Sequence, residues 1–349
     1  MSPRPTLADV AAAANVSVAT ASRVLSGRGE LSAATRARVF AAARALGYDR
    51  SRESRGRRRG GSARLIDLVL GFFDGPWSEE VTAGARTAAA AAGYDLVLTQ
   101  ETDDPEDDWP LRIRARGSAG VLLGIIQPTA RQLAVVAEGG LPVVVIEPRT
   151  DDGGLVPSVR TTDRAGTAAA AAHLVAQGAA RFAMIHGTPT YRYGRARIEG
   201  FEGEVERLLP GTPVVRIPGD WSARGAYAAL SAALPRLAVG AGPLGLFTGT
   251  DEMAVGAYAA LADAGLRIPD DVLVVGFDDA RGSRWMRPPL TTVHQPLREM
   301  AAAGVAMLLD IVEHGPGAGR RVELPTRLVV RTSTTLGGVT LGPLAAGPR

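Results

Sequence analysis

Short apolar runs alternate with alanine-rich helical stretches along most of this 349-residue chain, and that alternation restricts the fold more than any other feature. Strand-like runs at 65–71, 95–99, 120–126, 143–147, 182–186, 214–217, 245–248 and 272–277 are interspersed with helical patterns at 79–92, 167–177, 198–209, 223–234 and 253–264. Strands separated by helices return in the same direction and pair in parallel, and a parallel sheet needs helices over both faces. The pattern lasts for about 270 residues, enough for two doubly wound sheets.

The first 48 residues follow a different rule. They contain no alternating strand pattern and read as three short helices. Thr6 caps the first, in which Leu7, Val10, Ala11 and Ala14 recur at helical spacing. Asn15, a residue tolerant of left-handed backbone, ends it. Ser17 caps a second helix running to about Leu25, and Ser32 or Thr35 opens a third that stops at Gly47. Two short helices about a tight turn with a third in support describe a helix-turn-helix.

Charge divides the chain at the same place. Net charge is only +3, yet residues 1–60 hold 12 Arg against Asp9, Glu30, Asp49 and Glu53, and the remainder holds 27 Arg against 32 acids. A basic head on an acidic body is the electrostatic footprint of nucleic-acid binding at one end. Between the two lies an Arg/Ser/Gly segment, 50–62, with no aliphatic side chain, which reads as a linker or a segment that orders only on DNA.

The segment TLADVAAAANVSVATASRVL, Thr6 to Leu25, resembles the DNA-reading head of the LacI/GalR (lactose-repressor) family nearly position by position. The resemblance continues through Gly47 and Tyr48 and then through DRAG (163–166), RIEGF (197–201), TDEMA (250–254), VVGFDD (274–279) and PPLTTVHQ (288–295). It implies a sequence-specific transcriptional regulator, a repressor that acts as a homodimer on palindromic double-stranded operator DNA and answers to a small-molecule effector, a sugar or related metabolite. The implied architecture is an all-α helix-turn-helix head (1–48), a hinge (49–62) and a periplasmic-binding-protein-like α/β core (63–340) of two doubly wound parallel-sheet subdomains. With three crossings near 161, 292 and 325, the subdomains comprise 63–161 with 292–325, and 162–291 with 326–340. Residues 341–349 are read as a disordered tail.

For the head, the resemblance assigns base contacts to Val18, Ala19 and Arg23. Arg23 can bond a guanine edge in bidentate fashion, whereas Val18 and Ala19 can only touch thymine methyls or exclude polar edges. Thr6, Ser17, Thr20 and Ser22 are candidates for phosphate contacts, which position without reading sequence. The hinge departs from the family pattern: Arg57 stands at or near the position where a leucine wedges into the minor groove. Arginine there can neutralise phosphate or enter a narrow groove, or the segment is a solvated tether.

For the core, Arg197 and Asp278 are implied to hold the effector, and Asp251 neighbours the same strand ends. A guanidinium and carboxylates suit a polyol, whose hydroxyls both donate and accept. Trp77 and Trp221 stand where the family often places an aromatic that stacks on a sugar face; the alternative for each is core packing. Thr250 replaces a usual asparagine, Thr162-Asp163 an Asp-Asn pair and Glu147 a common aspartate, so ligand identity does not carry over.

Other functions find little support. There is no cysteine and no lysine, which excludes disulfides, thiolate nucleophiles, Schiff-base lysines and a Walker-type phosphate lysine. His173, His186, His294 and His314 fall in no triad-like or metal-like spacing, so no catalytic residue, metal site or cofactor is assigned. Asp103-Asp104 and Asp107-Asp108 read as a solvated acidic loop. The residues Met1–Pro5 lack the apolar core of a signal peptide, and no apolar run approaches the roughly 20 residues of a membrane span. The expected location is the cytoplasm. A solute-binding protein with the same core is the chief rival, but it would not need residues 6–48.

Overall fold

The computed structural model describes residues 5–25, 32–46, 64–102, 104, 107–151, 156–237, 242–315 and 320–335. The chain separates into two compact units, Met1–Arg64 and Leu65–Arg349.

In the head, helices α1 (Leu7–Ala13), α2 (Val18–Leu25) and α3 (Ala33–Leu46) enclose a small core of Val10, Ala11, Ala14, Ala21, Val24, Val39, Ala42 and Ala43. Side chains that relieve the unsatisfied N–H groups of a first turn fix each start. Thr6 Oγ1 accepts from the Asp9 N–H at 3.3 Å and the Asp9 carboxylate accepts from the Thr6 N–H at 2.7 Å, a capping box. Ser17 Oγ accepts from the Thr20 N–H at 3.0 Å, and Ser32 Oγ from the Thr35 N–H at 3.2 Å. Asn15 adopts φ +52°, the left-handed turn between α1 and α2.

The second unit contains two six-stranded sheets. Its elements run β1 (Leu65–Leu70), α4 (Pro76–Ala91), β2 (Asp95–Gln100), α5 (Trp109–Arg116), β3 (Gly120–Gly124), α6 (Ala130–Glu138), β4 (Val143–Ile146), β5 (Ser158–Thr161) and α7 (Asp163–Ala176). They continue with β6 (Arg181–His186), α8 (Arg192–Leu208), β7 (Val214–Pro218), α9 (Ala223–Ala233), β8 (Leu244–Thr248), α10 (Asp251–Asp263), β9 (Val272–Asp278), β10 (Thr291–His294), α11 (Leu297–His314), β11 (Arg321–Leu324) and β12 (Arg327–Val329). The first sheet has the order β11-β5-β4-β3-β1-β2, parallel throughout. The second has the order β12-β10-β9-β8-β6-β7, parallel except for the β10–β12 edge pair. Strand β9 lies inside its sheet with helices on both faces, and all seven residues are buried, as a nearly unbroken apolar run requires.

Helices α5 and α6 extend the alternation through a stretch where periodicity is faint. Both carry start signals: Asp107 Oδ1 accepts from the Trp109 N–H at 3.1 Å, and Thr129 with Gln132 forms a capping box. Asp107, one of the four neighbouring aspartates, thus shapes the entry to α5, and it also accepts from Thr102 and Arg112.

The two lobes exchange chain three times. β5 ends at Thr161 in the first sheet, β10 runs to His294 in the second, and β11 and β12 flank residues 325–326. The second crossing therefore falls at Gln295-Pro296, a few residues beyond the 292 expected from the sequence, because α11 packs on β3, β4 and β5 of the first sheet while β10 pairs with β9. The crossings are tied together: Gln295 Nε2 donates to Thr161 Oγ1 at 3.0 Å, and the Thr326 N–H donates to Thr162 Oγ1 at 2.9 Å. Among the described residues no helix is long and apolar enough to cross a membrane.

Candidate functional sites

On the head, the residues singled out in the sequence fall on two surfaces. Val10, Ala11, Ala21 and Val24 are buried, which turns Ser17, Val18, Ala19 and Arg23 outward; Thr20 and Ser22 are half-buried beside them. Val18 is an apolar side chain left 49 % exposed on a helix that has a core to face. Thr6 is exposed at the start of α1 and Ser17 at the start of α2, where free N–H groups and the helix dipole favour an anion. Arg23 lies along α2 with its Nε donating to the Ala19 carbonyl at 3.4 Å. Arg57 and the rest of the 49–62 hinge, like the 341–349 tail, lie outside the described residues.

In the core, a cleft of about 230 Å³ opens between the lobes, far more than one water fills. It lies beyond the carboxyl ends of the strands, where a change of winding direction leaves a crevice. β1 leads to Phe72 and on to Trp77 in α4, β3 to Ile125, and β4 to Glu147 and Arg149. From the other lobe, β6 leads to Tyr191, Tyr193 and Arg197, β7 to Asp220 and Trp221, β8 to Thr250 and Glu252, and β9 to Asp278.

Four of these lining residues are non-glycine with positive φ: Ile125 (+47°), Glu147 (+50°), Trp221 (+71°) and Asp278 (+112°). Each such backbone costs roughly 1–3 kcal/mol, and such strain gathers where a site over-determines its geometry. Trp221 is held by an Nε1–H donated to Thr188 Oγ1 at 3.2 Å, and its ring lies where a Gly187 side chain would have to be, about 2.0 Å from an added Cβ. Trp77 sits likewise 3.1 Å from a Cβ added at Gly124. Both tryptophans also pack on their lobe's core, so stacking surface and core packing are not exclusive here.

Beneath the rings lies a charged floor. Asp163 Oδ1 accepts from Arg197 Nε at 3.0 Å and Oδ2 from Arg192 Nη2 at 3.2 Å; the same Arg192 nitrogen reaches both oxygens of Glu147 at 3.2 Å. Burial and the Asp163 charge push the Glu147 carboxyl up, against the pull of Arg192 and Arg197. Arg197 also donates to the Gly249 carbonyl at 2.7 Å and lies 3.6 Å from the Phe277 ring centre, so its orientation is fixed without ligand. Asp278 is only 8 % exposed, and its Oδ1 accepts no hydrogen bond from any described residue. Burial, with Asp163 and Glu252, pushes its carboxyl up to about 7 despite Arg197.

Asp251 is the correction. It does not line the cleft: it is 3 % exposed, its Oδ2 accepts from the Ala280 N–H at 2.7 Å, and its Oδ1 accepts from Thr292 Oγ1 at 2.5 Å. At the start of α10 the cap residue Thr250 and Glu252 reach the cleft, while Asp251 lies beneath it, towards β9 and β10. Sequence reading also omitted Phe72, Ile125, Arg149, Tyr191, Tyr193, Asp220 and Glu252 from the lining. Their position just past strand ends is the signal that could have marked most of them.

The comparisons with known proteins follow the same division. Residues 6–51 match the bacterial regulatory proteins of the lacI family, and residues 171–334 match the periplasmic binding protein-like domain. The HTH-type transcriptional regulator of the aml 5′ region of Streptomyces limosus is 36 % identical over 342 residues, 95 % of this chain and 94 % of that protein. The ribose operon repressor of Halalkalibacterium halodurans is 31 % identical over 338 residues, covering 95 % and 98 %. Among solved structures, a transcriptional regulator CelR–cellobiose complex matches with a TM-score of 0.70 at 28 % identity, over 95 % of this chain and 100 % of that one. The lac repressor dimer bound to operator and the anti-inducer ONPF matches with the same TM-score and identity, over 96 % and 100 %. The chain therefore belongs to the LacI family of bacterial transcriptional regulators, non-enzymatic proteins that join a helix-turn-helix DNA-binding head to a periplasmic-binding-protein-like effector domain.

Proposed function

We propose that this regulator is a cytoplasmic repressor that binds a palindromic operator as a homodimer, one head per half-site, and changes its affinity when a sugar or related metabolite occupies the cleft. In this reading the head is 1–48, the hinge 49–62 and the effector domain 63–340. Val18, Ala19 and Arg23 read bases; Thr6, Ser17, Thr20 and Ser22 hold phosphates; and Arg57 adds charge against the duplex at the operator centre. Trp77 and Trp221 stack on the ligand, Arg197 and Asp278 bond its hydroxyls, and Asp251 supports the strand ends from below.

The observation that carries the reading is the pairing of one tryptophan from each lobe across a cleft with a fixed guanidinium and a buried carboxylate. Such an arrangement offers flat apolar faces and both donors and acceptors, which is what a pyranose presents in return. A relative named for the ribose operon and a similar structure with cellobiose support a sugar. Closure on the ligand would couple to the heads by about 1–3 kcal/mol.

Selection of random double-stranded DNA by the purified chain, repeated across a sugar panel, tests this. A palindromic site whose affinity shifts about 5- to 150-fold with one sugar is expected. Absence of any palindromic site defeats the operator claim, and a site indifferent to every ligand in a broad panel defeats the effector claim. The salt slope of affinity should become shallower when Arg57, Arg58 and Arg59 are changed together to alanine.

A further inference from the structure

Acidic side chains outnumber guanidinium groups on the cleft lining: Glu147, Asp220, Glu252 and Asp278 stand against Arg149 and Arg197. Glu147 and Asp163 are engaged by Arg192 and Arg197. That leaves Asp278, Asp220 and Glu252 on the lining against the guanidinium of Arg149, which lies 4.8 Å from the Tyr191 ring centre. Asp220 spends Oδ1 on the N–H and hydroxyl of Ser222 at 3.0 and 2.7 Å, and these bonds, with the nearby Arg224 charge, hold its carboxyl below the usual range, so it stays ionised. Glu252 reaches across the mouth towards the first lobe, its Oε2 3.8 Å from a Cβ added at Gly75, and burial with the charges of Asp74 and Asp220 pushes its carboxyl up. Asp278, more than nine-tenths buried, lines the same space, and its Oδ1 is a buried oxygen that no described residue bonds.

The rest of the lining suits the same complement. Phe72, Trp77, Tyr191, Tyr193 and Trp221 bring five aromatic side chains to one cavity in a chain with only 4 Trp, 6 Tyr and 7 Phe. Aromatic faces carry negative quadrupole and attract a cation, and a carboxylate in a partly desolvated site does so more strongly than it attracts a hydroxyl. A neutral sugar would leave the excess carboxylates as they are. An ammonium group supplies three donors and a positive charge to those carboxyls.

We propose that the cleft is built for an amino sugar, its protonated amine placed at Asp278 with Glu252 closing over it. This rests on the sugar-effector reading above and narrows it to a cationic member of the class. Titration calorimetry on the full chain at neutral pH, with glucosamine, galactosamine, mannosamine and the β-1,4-linked glucosamine dimer, each beside its N-acetylated and 2-hydroxyl counterparts, tests it. At least one amine-bearing ligand should bind about tenfold or more tightly than both of its counterparts, the usual advantage of a charge-assisted bond in a desolvated site. Asp278→Asn should erase that preference, and Glu252→Gln, at the accessible mouth, should reduce it in a chain whose buried floor is intact. Neutral or N-acetylated sugars binding as well as the amines, or a preference below tenfold, overturns the inference and leaves the sugar-effector reading standing. Binding of no sugar in the panel overturns both.

Discussion

The head and the cleft carry their recognition groups in opposite ways. On α2 the groups proposed to meet DNA point into solvent from a single helix, and local caps only three residues apart hold that helix in place. In the cleft Trp77, Arg197, Trp221 and Asp278 are buried or half-buried, come from helices, a loop and a strand end that follow different strands, and include groups held by partners distant in sequence, such as Arg197 by Asp163 and Gly249. Exposed groups can be removed with little consequence for folding. Buried ones trade stability against binding, because each was desolvated whether or not a ligand is present.

The strongest test of that contrast is Asp251→Ala. It leaves the Ala280 N–H and the Thr292 hydroxyl buried without their acceptor, and should lower unfolding stability by about 3–5 kcal/mol in chemical denaturation. A loss below about 1 kcal/mol would remove Asp251 from the supporting structure.

Asp278→Asn should act with the opposite sign. The folded carboxyl is pushed up to about 7, while in the unfolded chain it titrates near 4. Between those values the folded state keeps a proton the unfolded chain has lost, so this group makes stability fall as pH rises through that window. Asparagine removes the fall: ligand-free variant and parent should be nearly equal at about pH 4, with the variant more stable by on the order of 2–4 kcal/mol above pH 7. Thermal melts across pH measure it, and parallel curves would refute it.

Gly187→Ala forces the Trp221 ring to move and should destabilise the core by about 1–3 kcal/mol while changing the tryptophan emission and weakening effector binding. In the head, Arg23→Ala should weaken operator binding by about 1–3 kcal/mol and relax specificity at one base pair, with the melting of the core unchanged. A lowered core melting temperature would break the contrast. The smallest effect belongs to Thr6→Ala, which removes a cap and should cost the head about 1 kcal/mol, read by the helical circular dichroism of the head on heating.

Legibility in the sequence followed the range of the interactions. The starts of α1 and α2, the turn at Asn15 and the outward face with Arg23 were all readable, because each depends on hydrogen bonds or spacing within a few residues. Arg197, Asp278, Trp77 and Trp221 were found through motif resemblance, and all four line the cleft. Asp251 was misplaced, and Glu252 beside it was missed, because one step along a helix turns a side chain by roughly 100°. No spacing rule marks where that turn begins.

What the sequence by itself determined is the class of each part: a capped three-helix head with an exposed reading face, and parallel sheets demanded by alternating apolar and alanine-rich segments. Periodicity and capping are local, so the chain states them directly. Only the tertiary structure decided which carboxylate is spent on support and which faces the ligand. That choice depends on positive φ at Ile125, Glu147, Trp221 and Asp278, on crossings bonded through Thr161, Thr162, Gln295 and Thr326, and on charges brought together from both lobes. The crossing bonds join residues 134 and 164 positions apart and the charge pairs Glu147–Arg192 and Asp163–Arg197 residues 45 and 34 apart, distances over which burial and electrostatic pairing are settled by packing.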